Sequence, residues 1–178
     1  MTARRAACLL PLAGMLLCPL PAAAASDPVS VFSAACLDEL PDFSGTPGRL
    51  AERGLESDGG VAADVPLYGD PREISAQLRE TPLGAQVTAE TCLVFWSPAL
   101  PDVTAPRGLD RIAAEIERRR GVEVERDCAR DAAPVRCHWA WTEGDGAVCT
   151  RVQVSIEAAA LTAPLAATAI HDCREMTR

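Results

Sequence analysis

Residues able to do chemistry crowd one stretch of this chain, RDCARDAAPVRCHWAW, from Arg126 to Trp141. It holds Cys128, Cys137, His138, Trp139 and Trp141. A structural zinc site takes its ligands in pairs at short spacing, such as C-x2-C. The spacing here is C-x8-C, and no C-x2-C occurs anywhere in the chain. Covalent haem attachment needs C-x-x-C-H, of which only the final Cys137-His138 is present. The pattern therefore points to no metal and no cofactor.

Thiol catalysis needs a thiolate with a base in hydrogen-bond reach. Along a strand, successive side chains point to opposite faces, so Cys137 and His138 would face apart. A second pairing, His171 with Cys173, is left open, with nothing positive behind it. A serine hydrolase of the nucleophile-elbow kind would carry G-x-S-x-G, which is absent. No P-loop and no dinucleotide fingerprint occurs. A carboxylate pair of the glycosidase kind is open, but 25 acidic residues make chance pairs inevitable. No residue is singled out as catalytic. Trp139 and Trp141 read as core side chains in preference to an aromatic binding strip.

The remaining chemistry of the cysteines is oxidation. Six lie beyond the first 25 residues: Cys36, Cys92, Cys128, Cys137, Cys149 and Cys173. An even number in an exported chain implies disulfides, and six cysteines allow 15 pairings. Cys36 and Cys92 are the only two of the N-terminal half, and a bridge between them would tie the first helix to a central strand. Cys128 and Cys137 end one strand and begin the next. That leaves Cys149 with Cys173, tying the tail to the last strand.

Export itself is read from the N-terminus. Arg4 and Arg5 precede an apolar run from Ala6 to Leu20, and Ala23 and Ala25 suit a small-residue cleavage site. This is the pattern of a secretory signal peptide over residues 1–25, with a single domain over 26–178. The expected location is the periplasm or the exterior. Pro11, Gly14, Pro19 and Pro21 break the run, which is short of the roughly 20 apolar residues of a spanning helix. No membrane span is expected after cleavage.

The chain has 178 residues, no lysine, and a net charge of −8. Cleavage removes two arginines and no acid, taking the charge to −10. Such a surface repels nucleic acid and anionic lipid. A protein or small ligand is left as the class of partner.

The elements that must position these residues follow from periodicity and breakers. Ser30–Leu40 reads as a short helix with Ser30 as its cap, stopped by Pro41. Thr46, Pro47 and Gly54 bracket a second helix, with Thr46 as cap. ESDGG reads as a turn, and VAADVPLY as a weak strand. GDPREISAQLRE reads two ways: Asp70, Pro71 and Glu73 look like a helix start with a capping box, while Ile74, Ala76 and Leu78 alternate like a strand, the reading favoured because about eight residues separate the turn signals. Thr91–Ser97 is a β-branched and aromatic run that suits a central strand. The clearest helix runs from Pro106 to Arg120, with Leu109, Ile112, Ala113 and Ile116 on one stripe and Gly121 as its stop. Arg118, Arg119 and Arg120 in its last turn read as cations complementing the helix dipole, in preference to an anion site.

Strands are expected at Val122–Cys128, Pro134–Thr142 and Ala147–Glu157. A two-residue Gly144-Asp145 turn would set Trp139 opposite Thr150 and Cys137 opposite Val152. It would also place His138 and Arg151 together on the polar face, as the residues to line a ligand. The tail to Ile170 reads as a helix or strap.

The run VFSAACLDELPDFSG…RLAERGL…LYGDPREISAQL…CLVFWSP resembles small exported proteins of alphaproteobacteria of the Rhodobacter kind. The likeness covers Val31 to Pro98 and the helix after it. It implies export, a Cys36–Cys92 bridge, and strand for Ile74 to Arg79. It brings no active-site residue with it. Together these readings give an α+β domain: N-terminal helices and one long helix packed on a largely antiparallel sheet, stapled by disulfides. Its function is read as a non-enzymatic binding domain, with a hydrolase using carboxylates or a histidine as the rival.

Overall fold

The computed structural model describes residues 27–62, 65–70, 72–83, 87–97, 103, 105–129, 136–144, 149–157 and 163–171. The signal-peptide reading, and Cys173 with it, lie outside them.

Three strong helix signals give three helices. Asp27, not Ser30, caps the first: its carboxylate accepts from the Ser30 N–H at 2.9 Å. Helix α1 (Pro28–Phe32) runs directly into a π-helical turn, Ser33–Leu37. Helix α2 spans Thr46–Glu52 with Gly45 as its cap. Thr46 is inside that helix, and its hydroxyl donates to the Ala35 carbonyl at 2.6 Å, joining α2 to the π turn. Helix α3 spans Pro106–Arg120, and Gly121 ends it at φ 65°, the left-handed conformation that glycine adopts without a Cβ clash.

Eight strands form one antiparallel sheet. They are β1 (Ser57–Ala62), β2 (Val65–Gly69), β3 (Ile74–Pro82), β4 (Thr88–Trp96), β5 (Asp127–Ala129), β6 (Arg136–Gly144), β7 (Cys149–Glu157) and β8 (Ala163–Ile170). Their order is β1-β2-β3-β4-β8-β7-β6-β5. The expected ESDGG turn is thus largely strand, and the expected tail helix is β8, inserted between β4 and β7. The alternation of Leu165, Ala167 and Ala169, all buried, explains why: small apolar residues fill the middle of the sheet where both neighbours are strands.

The β6–β7 hairpin keeps its expected faces but not its expected register. Trp139 pairs with Val154 and Cys137 with Ile156, four residues from the expected partners. Gly144 pairs with Cys149, so the expected two-residue Gly144-Asp145 turn is not formed. An even shift leaves every side chain on its face, so the hydrophobic pattern cannot distinguish the two registers. The adopted one pairs nine residues on each strand. The expected strand at Val122–Cys128 is cut to Asp127–Ala129.

One face of the sheet carries the core. Rows across it read Ala76, Val94, Leu165, Ile156, Cys137 and then Leu78, Cys92, Ala167, Val154, Trp139. Phe32, Leu37, Leu50, Leu109, Ile112 and Ile116 cover these rows from the helical layer. Trp139 is fully buried and Trp141 partly so. Two disulfides fasten this layer, one at mid-sheet and one at the β5 edge. Cys36–Cys92 bolts the π turn to β4 across 56 residues. Cys128–Cys137 joins directly opposed positions of β5 and β6, with Cα atoms 4.1 Å apart. Gly69 is fixed by close approach: it sits at φ 82°, and a Cβ there would lie 2.6 Å from the Ile74 carbonyl oxygen.

Candidate functional site

The core face changes character one row past Trp139. There Glu80 and Glu90 stand directly opposite each other on β3 and β4, in line with Ala169, Val152 and Trp141. The helical layer ends at this row, with Asp42 and Phe43 at its margin. The result is a cleft of about 340 Å³ lined by Asp42, Phe43, Leu78, Arg79, Glu80, Glu90 and Thr91. Phe43 is buried, in a left-handed conformation (φ 52°) uncommon for a bulky residue.

His171 follows the last residue of β8 and falls one row further on. Its Nδ1 lies 3.2 Å from the Thr150 hydroxyl. Its positive form acts electrostatically on both Glu90 and Asp42. Burial above all raises the Glu90 carboxyl above its ordinary range; the charges of Asp42 and Glu80 add to this, and His171 opposes it. Asp42 is held low by the Ser44 N–H, which donates to it at 2.9 Å. The Arg79 guanidinium donates to the Gln77 amide oxygen at 2.9 Å. Among the described residues, no arginine forms an ion pair with Asp42, Glu80 or Glu90.

The other candidates separate. His138 is on the open face, half exposed, 3.5 Å from Asp127 of β5. Arg151 pairs with Thr142, four positions along from His138's neighbours, or about 13 Å at strand rise. The expected His138–Arg151 lining is therefore not assembled; the four-residue register shift parts them. Arg118, Arg119 and Arg120 hold carboxylates, not a free anion site. Arg118 and Arg119 grip Glu115, Arg119 also reaches Asp38, and Arg120 holds Glu143 at 2.6 and 2.8 Å. Cys36, Cys92, Cys128 and Cys137 are all disulfide-bonded. Among the described residues, no group of three or more His, Cys, Asp or Glu side chains is arranged to hold a metal ion. No helix among them is long and apolar enough to cross a membrane.

Sequence reasoning did not find the cleft, since its acids are ordinary members of a large acidic set. One signal existed: Glu80 and Glu90 interrupt the apolar phase of β3 and β4 at the same end. Reading it needs the β3–β4 register, which no motif announces. No family model, curated protein or solved structure matches this chain.

Proposed function

We propose that this chain is an exported, disulfide-stabilised binding protein whose cleft at the end of β3 and β4 receives an organic cation. The observation that carries this reading is the convergence of Asp42, Glu80 and Glu90 on one cleft where, among the described residues, none of them has an arginine partner, the lining Arg79 being turned to Gln77. Like charges directly opposite on paired strands are destabilising, so an ammonium or guanidinium entering between them relieves repulsion and gains charge-assisted hydrogen bonds. Leu78 and Phe43 supply an apolar wall for an alkyl stem. Two disulfides and an N-terminal leader pattern agree with life in an oxidising compartment, the periplasm or exterior.

Calorimetric titration with an alkylguanidinium and with a neutral alkylurea of the same shape tests the reading. The cation should bind and the urea should not. Affinity should rise with pH through the raised Glu90 value, because only the ionised carboxylate attracts the cation. Glu90→Gln should weaken binding about tenfold, one lost charge-assisted contact. Equal binding of the urea would defeat it.

A hydrolase is the second reading, favoured by one observation: Glu90 is a carboxyl held above its ordinary range by burial, opposite a second carboxylate and within the electrostatic reach of His171. Turnover of glycoside or ester probes that is lost in both Glu90→Gln and Glu80→Gln would select it.

A further inference from the structure

Strand β6 is nine residues long, yet β5 pairs only with Arg136, Cys137 and His138. Among the described residues, the rest of β6's outer edge has no partner strand. The chain before β5 nevertheless runs beside it. Gly121 to Arg126 leaves the end of α3 and reaches Asp127, while Arg120 holds Glu143 at one end of β6 and Asp127 pairs with His138 at the other. Continuing the β5 register places Arg126 opposite Trp139, Glu125 opposite Ala140, Val124 opposite Trp141 and Glu123 opposite Thr142. Burial agrees with that phase. Val122, Val124 and Arg126 are partly buried and Glu123 and Glu125 are exposed, the alternation of a strand laid on the core edge.

Only the hydrogen bonds are missing: the backbone of Val122–Arg126 makes none. The 4.1 Å Cα separation of Cys128 and Cys137 identifies theirs as the close, non-hydrogen-bonded type of antiparallel pair. By alternation, His138, Ala140 and Thr142 aim their N–H and C=O groups outward. Ala140 and Thr142 then face Glu125 and Glu123, whose groups aim inward. An opposing anchor is in place, since Arg126 donates to Asp110 of α3 at 2.7 Å. That pair is largely exposed on the aspartate side and is a weak restraint.

We propose that Val122–Arg126 is a latent strand that zips onto β6 as a continuation of β5, so that the protein closes this edge with its own chain. The segment matches the open edge in length, phase and face, and is tethered at both ends. Open edges are templates for pairing with other chains, and closing one removes that hazard. The Arg126–Asp110 pair sets the balance between the open and zipped forms.

Amide exchange and Hα–Hα contacts by NMR on the oxidised protein test this. The zipped form brings Val124 Hα to Trp141 Hα and Arg126 Hα to Trp139 Hα, and slows the Ala140 and Thr142 amides about tenfold or more relative to exposed amides. Asp110→Asn should increase that protection severalfold. Glu125→Pro, in an exposed position, should abolish it at Ala140 while the amides of β7 and β8 keep their protection. Fast exchange at Ala140 and Thr142 with no Hα contacts would overturn the proposal. So would protection that depends on protein concentration, which would mean a second copy on the edge.

Discussion

Two groups of carboxylates in this molecule live under opposite electrostatics. Around the helical layer, Asp27 meets Arg111, Asp38 meets Arg119, Glu39 meets Arg49, Asp110 meets Arg126, Glu115 meets Arg118 and Arg119, and Glu143 meets Arg120. At the end of β3 and β4, Asp42, Glu80 and Glu90 form no ion pair with an arginine among the described residues. Pairing lowers a carboxyl: Glu115 falls to about 2, chiefly through the hydrogen bond from Arg118. Burial alone would raise Glu143, but Arg120 and the Trp141 indole N–H outweigh it and hold it below its ordinary range. Glu90 moves the other way. A chain with 17 arginines has enough cations to pair these acids too. The difference teaches that arginines fasten the helical layer, within itself and through Arg120 to the sheet, whereas Arg79, which lines the cleft, turns to Gln77 and leaves the acids there unpaired.

The largest effects should come from unfastening the paired side. Replacing Cys36 and Cys92 together by serine removes the bolt between the π turn and β4 and should cost about 2–4 kcal/mol in denaturant melts. An unchanged midpoint would show that the layer holds without it. Next comes Arg120→Met. It strips Glu143 of its three contacts with Arg120 and leaves a partly buried charge held only by the Trp141 indole N–H, and should cost about 1.5–3 kcal/mol at pH 7. The same deletion of charge in the cleft should behave oppositely, which is the sharpest form of the comparison.

How much of this was legible follows from the kind of signal each feature leaves. Helix α3 is written locally, by its apolar stripe, Pro106 and Gly121, and it spans Pro106–Arg120 both as read and as built. Strand β3 is written less plainly, because the alternation of Ile74, Ala76 and Leu78 competes with a helix start at Asp70 to Glu73, and the strand buries Ile74 to Gln77 without alternation. The π turn is not written locally: Ser33–Leu37 has no residue type that announces an i→i+5 bond. Strand β8 was missed because Ala-rich chain with few β-branched residues carries weak strand propensity, and only its place between β4 and β7 makes it a strand. The hairpin register was half legible: the pattern fixes parity, and burial of Ile156 against Cys137 fixes the rest. That residual ambiguity is what separated His138 from Arg151. The cleft depends on two registers and the end of a helical layer at once, so it was the least legible feature.

Acid titration separates the two regions by sign. Glu115 is depressed in the fold, so its contribution is complete above its ordinary value of 4.5 and is lost as pH falls toward about 2. Glu90 is raised, so the folded chain binds its proton more tightly than the unfolded chain does. Its part of the stability therefore declines as pH rises from 4.5 through its raised value. In chemical denaturation at a series of pH values, Glu115→Gln should flatten the acid limb below 4.5. Glu90→Gln should flatten the decline above it. If both variants moved the same limb, the contrast between paired and unpaired acids would be wrong.

The smallest effect is also the one that ties stability to the proposed function. Glu80 and Glu90 face each other directly, and a like-charge pair in that position costs about 0.2–1 kcal/mol. Glu80→Arg converts it to an opposite-charge pair and should return a gain of the same size at pH 7. A comparable change at Glu115 or Glu143 should only destabilise, because those acids already have their cations. The arginine would also occupy the cleft as a tethered guanidinium, so the stabilised variant should no longer take up the alkylguanidinium probe. A gain in midpoint with binding intact would mean that repulsion in the cleft and recognition by it are separate matters. A loss in midpoint would mean that the cleft has no unpaired negative charge to relieve.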